Sequence, residues 1–302
     1  MPLTQEQIAA RSKGIGGSDA GVIAGLRPNL TPVQLWQEKT GRIPPPDFSD
    51  NELVEWGHEF EEVIGRVWAK RTGNKIRRVN RTLYDKEHTF MLGHIDFDVV
   101  GKNEGLECKQ AAFWMRNFWG DEDTDDVPLY YLIQGVHYMR IYDTAAWNFA
   151  VLLGGNKLMK YRVERDLDSE KQLIELERKF WTCVETDIPP PPIRIEDLAR
   201  VWPTTGGSIV ATEEIALAVD ECAKLGEQRR ELEKQEKALK LAIGTYMGAA
   251  GDLVDPADPS TLLATYRAHD ENRIDVNRLR EEQPAIAAEY TKTSAVRKFL
   301  AK

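Results

Sequence analysis

The chain has 302 residues, of which 42% are hydrophobic and 29% charged, and its formal net charge is −9 at pH 7. These values are ordinary for a globular protein with one large domain, or with a core domain and an appendage. The acidic balance argues against general affinity for nucleic acid, because phosphate contacts require a basic surface. No long apolar run predicts a transmembrane helix, and the first residues lack the apolar core of a signal peptide. We therefore expect a cytoplasmic protein without membrane contact.

The three cysteines and five histidines form none of the spacings that are typical of zinc sites. We expect free thiols in a reducing compartment and no zinc centre. The charge is unevenly distributed, since residues 70–81 carry six basic and no acidic side chains, whereas residues 121–126 carry five acidic and no basic ones. The basic run is equally consistent with a track for a DNA backbone and with a solvated helix end.

A glycine-rich segment at residues 14–19 precedes the first predicted helix. We expect that helix at Asp19–Ala24, with Ser18 or Asp19 as its N-cap. The free backbone N–H groups of such a loop can bind an anion. From the loop alone, however, a plain helix cap is the better interpretation, because the spacing of a dinucleotide fingerprint is missing.

Two further helices are predicted before the first strand. Thr31–Thr40 has a capping threonine and a proline at the first helical position, and Leu53–Arg71 has apolar residues at helical spacing. Glu61 lies at the edge of the apolar face of the second helix. Either a buried partner or exposure to solvent would account for this carboxylate.

The most informative segment is a predicted β-hairpin with unusual charges. Its two strands, Met91–Val100 and Leu106–Cys108, flank a turn-forming GKNEG. Asp96 lies within the first strand, and the two-residue period of the second places Glu107 and Lys109 on one face and Cys108 on the other. Carboxylates on neighbouring strands beside a lysine can hold a hard divalent cation and a phosphate. Because charges are costly in half-buried strands, this pattern indicates phosphodiester cleavage.

A helix at Leu129–Ile141 follows the acidic loop, and Gln134 lies on its apolar side. Taken alone, Gln134 is best interpreted as an amide at the edge of the core that bonds to backbone. Strand Ala145–Leu153, its hairpin partner Leu158–Val163 and helix Ser169–Val184 come next.

A proline-rich segment that ends at about Pro192 predicts a domain boundary, with a core at residues 1–192 and a mainly helical extension at residues 193–302. In the extension we expect a solvated helix at Thr212–Met247, because its opposite charges recur at helical spacing. A loop at Gly248–Ser260, a short strand at Leu262–Arg267 and a final helical pair complete the prediction.

Six motifs in a fixed order extend from about Arg11 to Pro192: GIGGSDA after Arg11, WGHEFEE, MLGHIDFDVV, LECK, YYLIQGVHYM and AVLLGG. In this order they resemble the YqaJ viral recombinase family, relatives of phage lambda exonuclease with the PD-(D/E)XK nuclease core. The resemblance implies an α+β fold, an α/β/α restriction-endonuclease-like core in which helices flank a central mixed sheet. The family's proline before the first acid is absent here, and His94 stands where some relatives have serine.

Carried over position by position, the resemblance implies a complete active site. The metal ligands would be Asp96, Glu107, Glu61 and the backbone carbonyl of Cys108, and they would hold Mg²⁺ or Mn²⁺, with two ions per site. Lys109 would orient or activate the attacking water and stabilise the developing charge. Glu61 would complete the metal site or position the water, and Gln134 would support the site. The residues implied to contact the DNA end and its 5′-phosphate are Arg11, Ser18 and Tyr130.

The resemblance thus implies a metal-dependent 5′→3′ exonuclease that acts on double-stranded DNA ends and leaves 3′ single strands for recombination. It also implies a trimer and a phage single-strand annealing protein as partner. An endonuclease or a single-strand-specific nuclease with the same core is the first alternative. A DNA-binding or scaffold protein without catalysis is the second, although a scaffold would have no need of the two acids and the lysine.

Overall fold

The computed structural model describes residues 11–47, 50–204, 206–292 and 299–300. The chain divides into two compact units at the bond between Trp202 and Pro203. The helices of the first unit are α1 (Gly17–Ile23), α2 (Pro32–Lys39), α3 (Glu52–Thr72), α4 (Leu129–Tyr142), α5 (Leu167–Glu185) and α6 (Ile195–Val201). Its strands are β1 (Ile76–Arg78), β2 (Leu83–Tyr84), β3 (Leu92–Gly93), β4 (Phe97–Val99), β5 (Glu104–Ala111), β6 (Ala146–Leu153) and β7 (Lys157–Glu164).

A five-stranded mixed sheet in the order β1-β4-β5-β6-β7 forms the centre of this unit. Strands β5 and β6 are parallel, and the other neighbours are antiparallel. Because parallel neighbours need a crossover connection, the chain between β5 and β6 forms a short 3₁₀ helix (Phe113–Phe118) and then α4. This connection brings α4 against the strand that carries the predicted catalytic pair.

Helices cover both faces of the sheet, as predicted for an α/β/α core. On one face, Ile64 and Trp68 of α3 pack with Cys108 and its sheet neighbours. On the other face, Val136 of α4 packs with Phe149 and the large side chains around it. Alternate residues of β5 and β6 therefore serve opposite cores, which is the consequence of the two-residue period of a strand.

Helix α3 has a defined signal at each end. The side chain of Asn51 accepts hydrogen bonds from the backbone N–H groups of Leu53 and Val54, and Gly73 ends the helix with a φ of 73°. Gly65 permits the close approach of the helix to the sheet, because a Cβ atom there would lie 2.7 Å from the ring of Phe97. The predicted helix Leu53–Arg71 is confirmed.

Helix α1 begins earlier than the sequence predicts. Its N-cap is Gly16, not Ser18 or Asp19. The reason is that Asp19 lies at the third helical position and its Oδ2 accepts a hydrogen bond of 3.0 Å from the backbone N–H of Gly16. Asp19 therefore serves the helix start from inside the helix.

The first strand of the predicted hairpin is divided in two. Strand β3 pairs with β2 in a separate two-stranded sheet, and β4 pairs with β5 in the central sheet. Asp96 lies between β3 and β4 rather than within a strand. Its Oδ2 accepts the backbone N–H of Cys108 at 2.7 Å, so a side chain takes the place of a strand partner at this point.

The segment after Pro192 belongs to the first unit up to Trp202. Asp197 of α6 is fully buried and accepts a hydrogen bond of 2.7 Å from Oγ1 of Thr31, the N-cap of α2. The predicted division at Pro192 lies before this helix. Proline ended the preceding helix, as expected, but the chain returns once more to the core.

The second unit contains one long helix, a small hairpin and two short helices. They are α7 (Glu213–Met247), β8 (Asp252–Val254), β9 (Leu262–Thr265), α8 (Val276–Glu282) and α9 (Pro284–Glu289). Strand β8 lies in the predicted loop Gly248–Ser260, where it pairs with β9. In the whole described part of the chain, we find no helix with the length and apolarity to cross a membrane.

Candidate active site

The predicted catalytic residues meet at a cavity of about 700 Å³. Its wall is built by the start of α1, one face of α3, the end of β1, the segment before β4, strand β5 and one face of α4. Glu61, Asp96, Glu107, Lys109 and Gln134 all line it. Residues that are far apart in the sequence thus form a single polar site.

Strand β5 carries the central pair of this site. Nζ of Lys109 donates a hydrogen bond of 2.7 Å to Oε1 of Glu107, which is only 4% exposed. The same oxygen accepts a hydrogen bond of 2.9 Å from Nε2 of Gln134 on α4. The other carboxylate oxygen, Oε2, is buried and has no hydrogen-bond partner among the described residues. A buried, unpaired carboxylate oxygen is costly, and a cation or a hydrogen-bond donor bound in the cavity would satisfy it.

Two further carboxylates face the same cavity. Burial and the charges of Glu107 and Glu61 raise the pKa of Asp96 well above its usual value. Oε1 of Glu61 accepts a hydrogen bond of 2.7 Å from Nη1 of Arg78, which β1 contributes. Arg78 is therefore one partner of this carboxylate, for which the sequence had left a partner or solvent open. Together the three acids concentrate negative charge that a bound cation would relieve.

Lys109 is a cation in this environment. Burial alone would lower the pKa of Lys109, but Glu107, Tyr131 and Asp96 raise it above its usual value. Its Nζ also lies 5.2 Å from the ring centre of Tyr131. A lysine that keeps its proton at neutral pH can stabilise negative charge but cannot accept a proton.

The donor set fits a hard divalent cation. Its atoms are carboxylate oxygens, without a histidine or a thiolate, and these are the ligands that Mg²⁺ and Mn²⁺ prefer. In the described ranges, no three side chains of His, Cys, Asp or Glu are already grouped to hold an ion. Hydrogen-bond donors contact oxygens of Asp96, Glu107 and Glu61, and a bound cation would replace some of these contacts.

At another part of the cavity wall, Nη2 of Arg11 donates a hydrogen bond of 2.5 Å to Oγ of Ser18. Below this pair, the buried Nζ of Lys39 contacts the backbone oxygen of Arg11 at 2.6 Å and Oδ2 of Asp19 at 2.7 Å. Burial alone would raise the pKa of Asp19, but Lys39 and Arg11 lower it. The glycine-rich loop is thus fixed by a buried ion pair rather than held by a cap alone.

The tyrosines of α4 differ in their position relative to the cavity. Tyr130 is absent from the cavity wall, and its ring instead lies 5.2 Å from the guanidinium of Arg27. The wall contains Tyr131 and Tyr138, and the hydroxyl of Tyr138 accepts a hydrogen bond of 3.2 Å from Gln134. Both lie one helical turn from Gln134, at i−3 and i+4, but Tyr130 at i−4 has an equivalent spacing, so spacing alone does not distinguish the three tyrosines.

Three arginines of the basic run at residues 70–81 have different environments. The side chain of Arg71 bonds to the backbone oxygen of Leu158, and Arg77 pairs with Asp98. Arg78 alone among these three lines the cavity. Alternation along β1 separates two neighbouring arginines that look equivalent in the sequence.

Comparisons with known proteins agree with the fold and with the motifs. Residues 7–145 match the model of the YqaJ-like viral recombinase domain. The chain is 28% identical over 315 residues to "Uncharacterized protein YqaJ" of Bacillus subtilis (strain 168), and the match covers 97% of this chain and 92% of that protein. An alkaline exonuclease (LHK-Exo) from Laribacter hongkongensis superposes with a TM-score of 0.51 at 15% identity, over 61% of this chain and 94% of that chain.

This structural likeness shows a shared fold, and the matched residues 7–145 include the whole cavity wall described above. The resemblance indicated by the six ordered motifs is confirmed. Residues 7–145 of this chain are therefore similar to the YqaJ-like viral recombinase domain.

Proposed function

We propose that the protein is a metal-dependent 5′→3′ exonuclease that acts on double-stranded DNA ends. It leaves 3′ single-stranded tails for phage-type recombination by strand annealing. The observation that carries this proposal is one cavity that contains the Glu107–Lys109–Gln134 cluster together with Asp96 and Glu61. The family match and the fold shared with an exonuclease support it.

In this proposal Asp96, Glu107, Glu61 and the carbonyl of Cys108 hold Mg²⁺, for which Mn²⁺ can substitute. The resemblance suggests two ions per site. A divalent cation supplies Lewis acidity toward the attacking water and the leaving oxygen. The unpartnered Oε2 of Glu107 is the feature of this chain that best fits such an ion.

The protein's own groups position and stabilise the reacting phosphate. Gln134 orients the carboxylate of Glu107 through its amide, and the proton-bearing Nζ of Lys109 stabilises the charge that develops on the phosphate. Arg11 and Ser18, already paired with each other, bind the terminal 5′-phosphate. A cleavage site next to a phosphate-binding site would restrict cutting to DNA ends.

The test is a digestion assay with four DNA substrates, each with Mg²⁺ and with EDTA. They are a blunt duplex with 5′-phosphates, the same duplex without them, a covalently closed circle and a single strand. We expect Mg²⁺-dependent loss of the phosphorylated duplex and an intact circle. Separate labels at the 5′ and 3′ ends report the polarity. A cut circle would favour the endonuclease, and preferred digestion of the single strand would favour the single-strand-specific nuclease.

Two variants separate catalysis from binding. Lys109→Ala should reduce kcat by about 10²–10³-fold, as is typical when one donor to a developing oxyanion is removed. Lys171→Ala is the matched control, because this exposed lysine lies on α5, away from the cavity. If Lys109→Ala digests DNA at the wild-type rate, Lys109 has no role in catalysis and the scaffold interpretation gains support.

The assembly and its partners follow from the resemblance. We propose a trimer that acts in the host-cell cytoplasm beside a phage single-strand annealing protein. In a closed ring only the channel needs to be basic, which would reconcile an acidic chain with DNA. Light scattering after size-exclusion chromatography would test the trimer, and a monomer at working concentrations would contradict it.

A further inference from the structure

Two neighbouring arginines at the end of β1 have different environments. The side chain of Arg77 is 71% exposed and pairs with Asp98 at 2.7 Å. The side chain of Arg78 is 24% exposed and lines the cavity that holds the three acids. The antiparallel register places Arg78 opposite Phe97, the residue after Asp96. A cation of the sheet edge is thereby brought beside the proposed metal ligands.

The contacts of Arg78 hold its side chain but use few of its donors. Its guanidinium carbon lies 4.9 Å from the ring centre of Phe97, and Nη1 donates the bond to Glu61. A guanidinium has five N–H donors in a fixed planar arrangement. Among the described residues, Glu61 is the one hydrogen-bond partner of Arg78. The remaining donors are available to a ligand.

The negative charge of the cavity means that a phosphate can enter only where a cation such as Arg78 compensates for it. A DNA strand that approaches Asp96, Glu107 and Glu61 meets three carboxylates, and repulsion would oppose its entry unless cations compensate. A guanidinium binds a phosphate through two parallel hydrogen bonds, and this geometry matches phosphate better than a lysine does. Arg78 already faces the cavity and is only half-buried, so it can meet a ligand without unfolding its surroundings.

We propose that Arg78 binds a backbone phosphate of the DNA strand that enters the cavity. Arg78 makes this contact with the N–H donors that Glu61 does not use. The inference rests on the proposed nuclease function and adds a substrate contact to it.

The test compares three variants on the 5′-phosphorylated duplex: Arg78→Ala, Arg78→Lys and the matched control Arg77→Ala. Steady-state kcat and KM are measured from 50 to about 200 mM NaCl, the range over which phosphate contacts change affinity steeply. Arg78→Ala should raise KM by about 10- to 100-fold, as expected for loss of a hydrogen-bonded charge. It should also reduce the slope of log(kcat/KM) against log[salt] by about one.

The other variants set the limits of the interpretation. Arg78→Lys keeps the charge and should keep the salt slope, while losing part of the affinity because it cannot form two parallel bonds. Arg77→Ala should match the wild type in KM and in the salt slope. Circular dichroism and tryptophan fluorescence verify that each variant is folded.

Two results would overturn the inference. If Arg78→Ala lowers kcat or shifts the Mg²⁺ dependence but leaves the salt slope unchanged, Arg78 only positions Glu61. If Arg78→Ala behaves like Arg77→Ala, Arg78 neither binds a phosphate nor positions Glu61. Failure of the wild-type enzyme to digest DNA would instead contradict the proposed function, so the two failures are distinguishable.

Discussion

A buried ion pair beneath the active site predicts an unusual pH dependence of stability. His137 of α4 and Glu177 of α5 are both fully buried, and Nδ1 of His137 lies 2.8 Å from Oε1 of Glu177. Nε2 of the same ring lies 2.9 Å from the backbone oxygen of Leu92. Since both ring nitrogens face hydrogen-bond acceptors, the imidazole carries a proton on each. We therefore predict that His137 is a buried cation that joins α4 and α5 to β3.

The variant Glu177→Leu removes the carboxylate with little change in volume. Burial alone would lower the pKa of His137, but Glu177 and the carbonyl of Leu92 raise it above the usual value. Without Glu177, burial dominates and the ring becomes neutral. One ring nitrogen then loses its partner, which costs about 1–3 kcal/mol. Below about pH 6.5 the loss of stability is larger, because folding then keeps the ring neutral although a free histidine, with a pKa of about 6.5, is protonated.

The sign of the pH dependence follows from proton binding. In the wild type the pKa of His137 is higher in the folded chain than in the unfolded chain. The resulting stabilisation is complete below the pKa of the unfolded chain, and it is lost as the pH rises through the pKa of the folded chain. In the variant the folded pKa is lowered, so its stability increases with pH below about 6.5. The wild type should therefore exceed Glu177→Leu in free energy of unfolding by an amount that decreases by about 1.4 kcal/mol for each unit of rising pH. This holds wherever His137 is charged in the folded wild type and neutral in the folded variant.

The assay is urea denaturation from pH 5.5 upward, followed by tryptophan fluorescence. All eight tryptophans lie at or before Trp202, so this signal reports the first unit alone. Glu175→Leu is the matched control on the same helix, because Glu175 is 60% exposed and pairs with Lys179. We expect this control to change stability by no more than about 0.5 kcal/mol. A constant difference between wild type and Glu177→Leu across the pH range would refute a charged His137.

Three further variants test the packing around the site. Lys39→Met removes the ion-pair partner of the buried Asp19, so it should lower the free energy of unfolding by about 3–5 kcal/mol in urea denaturation. It also removes the contact of Lys39 with the backbone oxygen of Arg11, so it should weaken the preference for a 5′-phosphate. Gln134→Ala should reduce kcat by about 10- to 100-fold at nearly constant KM, since it removes a hydrogen bond to a charged carboxylate. Gly17→Ala would place a Cβ atom 2.5 Å from the ring of Tyr138, and should cost about 1–3 kcal/mol of stability in the same denaturation assay.

Local patterns in the sequence were sufficient for the regular elements. Helix α3 was predicted by its apolar spacing, and the alternation on β5 correctly separated Glu107 and Lys109 from Cys108. These features depend on the 3.6- and 2-residue periods, which any short stretch of chain expresses by itself. Where a side chain replaced a backbone partner, as at Asp96 and Asp19, local patterns were wrong about where the element begins or ends.

The contacts between elements were decided by the tertiary structure. Arg78 meets Glu61 because β1 is placed beside β4 and α3 crosses that edge of the sheet, an arrangement without a signature in either segment. The rotation of α4 likewise brings Tyr131 and Tyr138, and not Tyr130, to the cavity. The sequence by itself determined the helix α3 and the separation of Glu107 and Lys109 from Cys108 on β5. Only the packing of distant elements, which depends on contacts across the whole core, decided which charge each side chain meets.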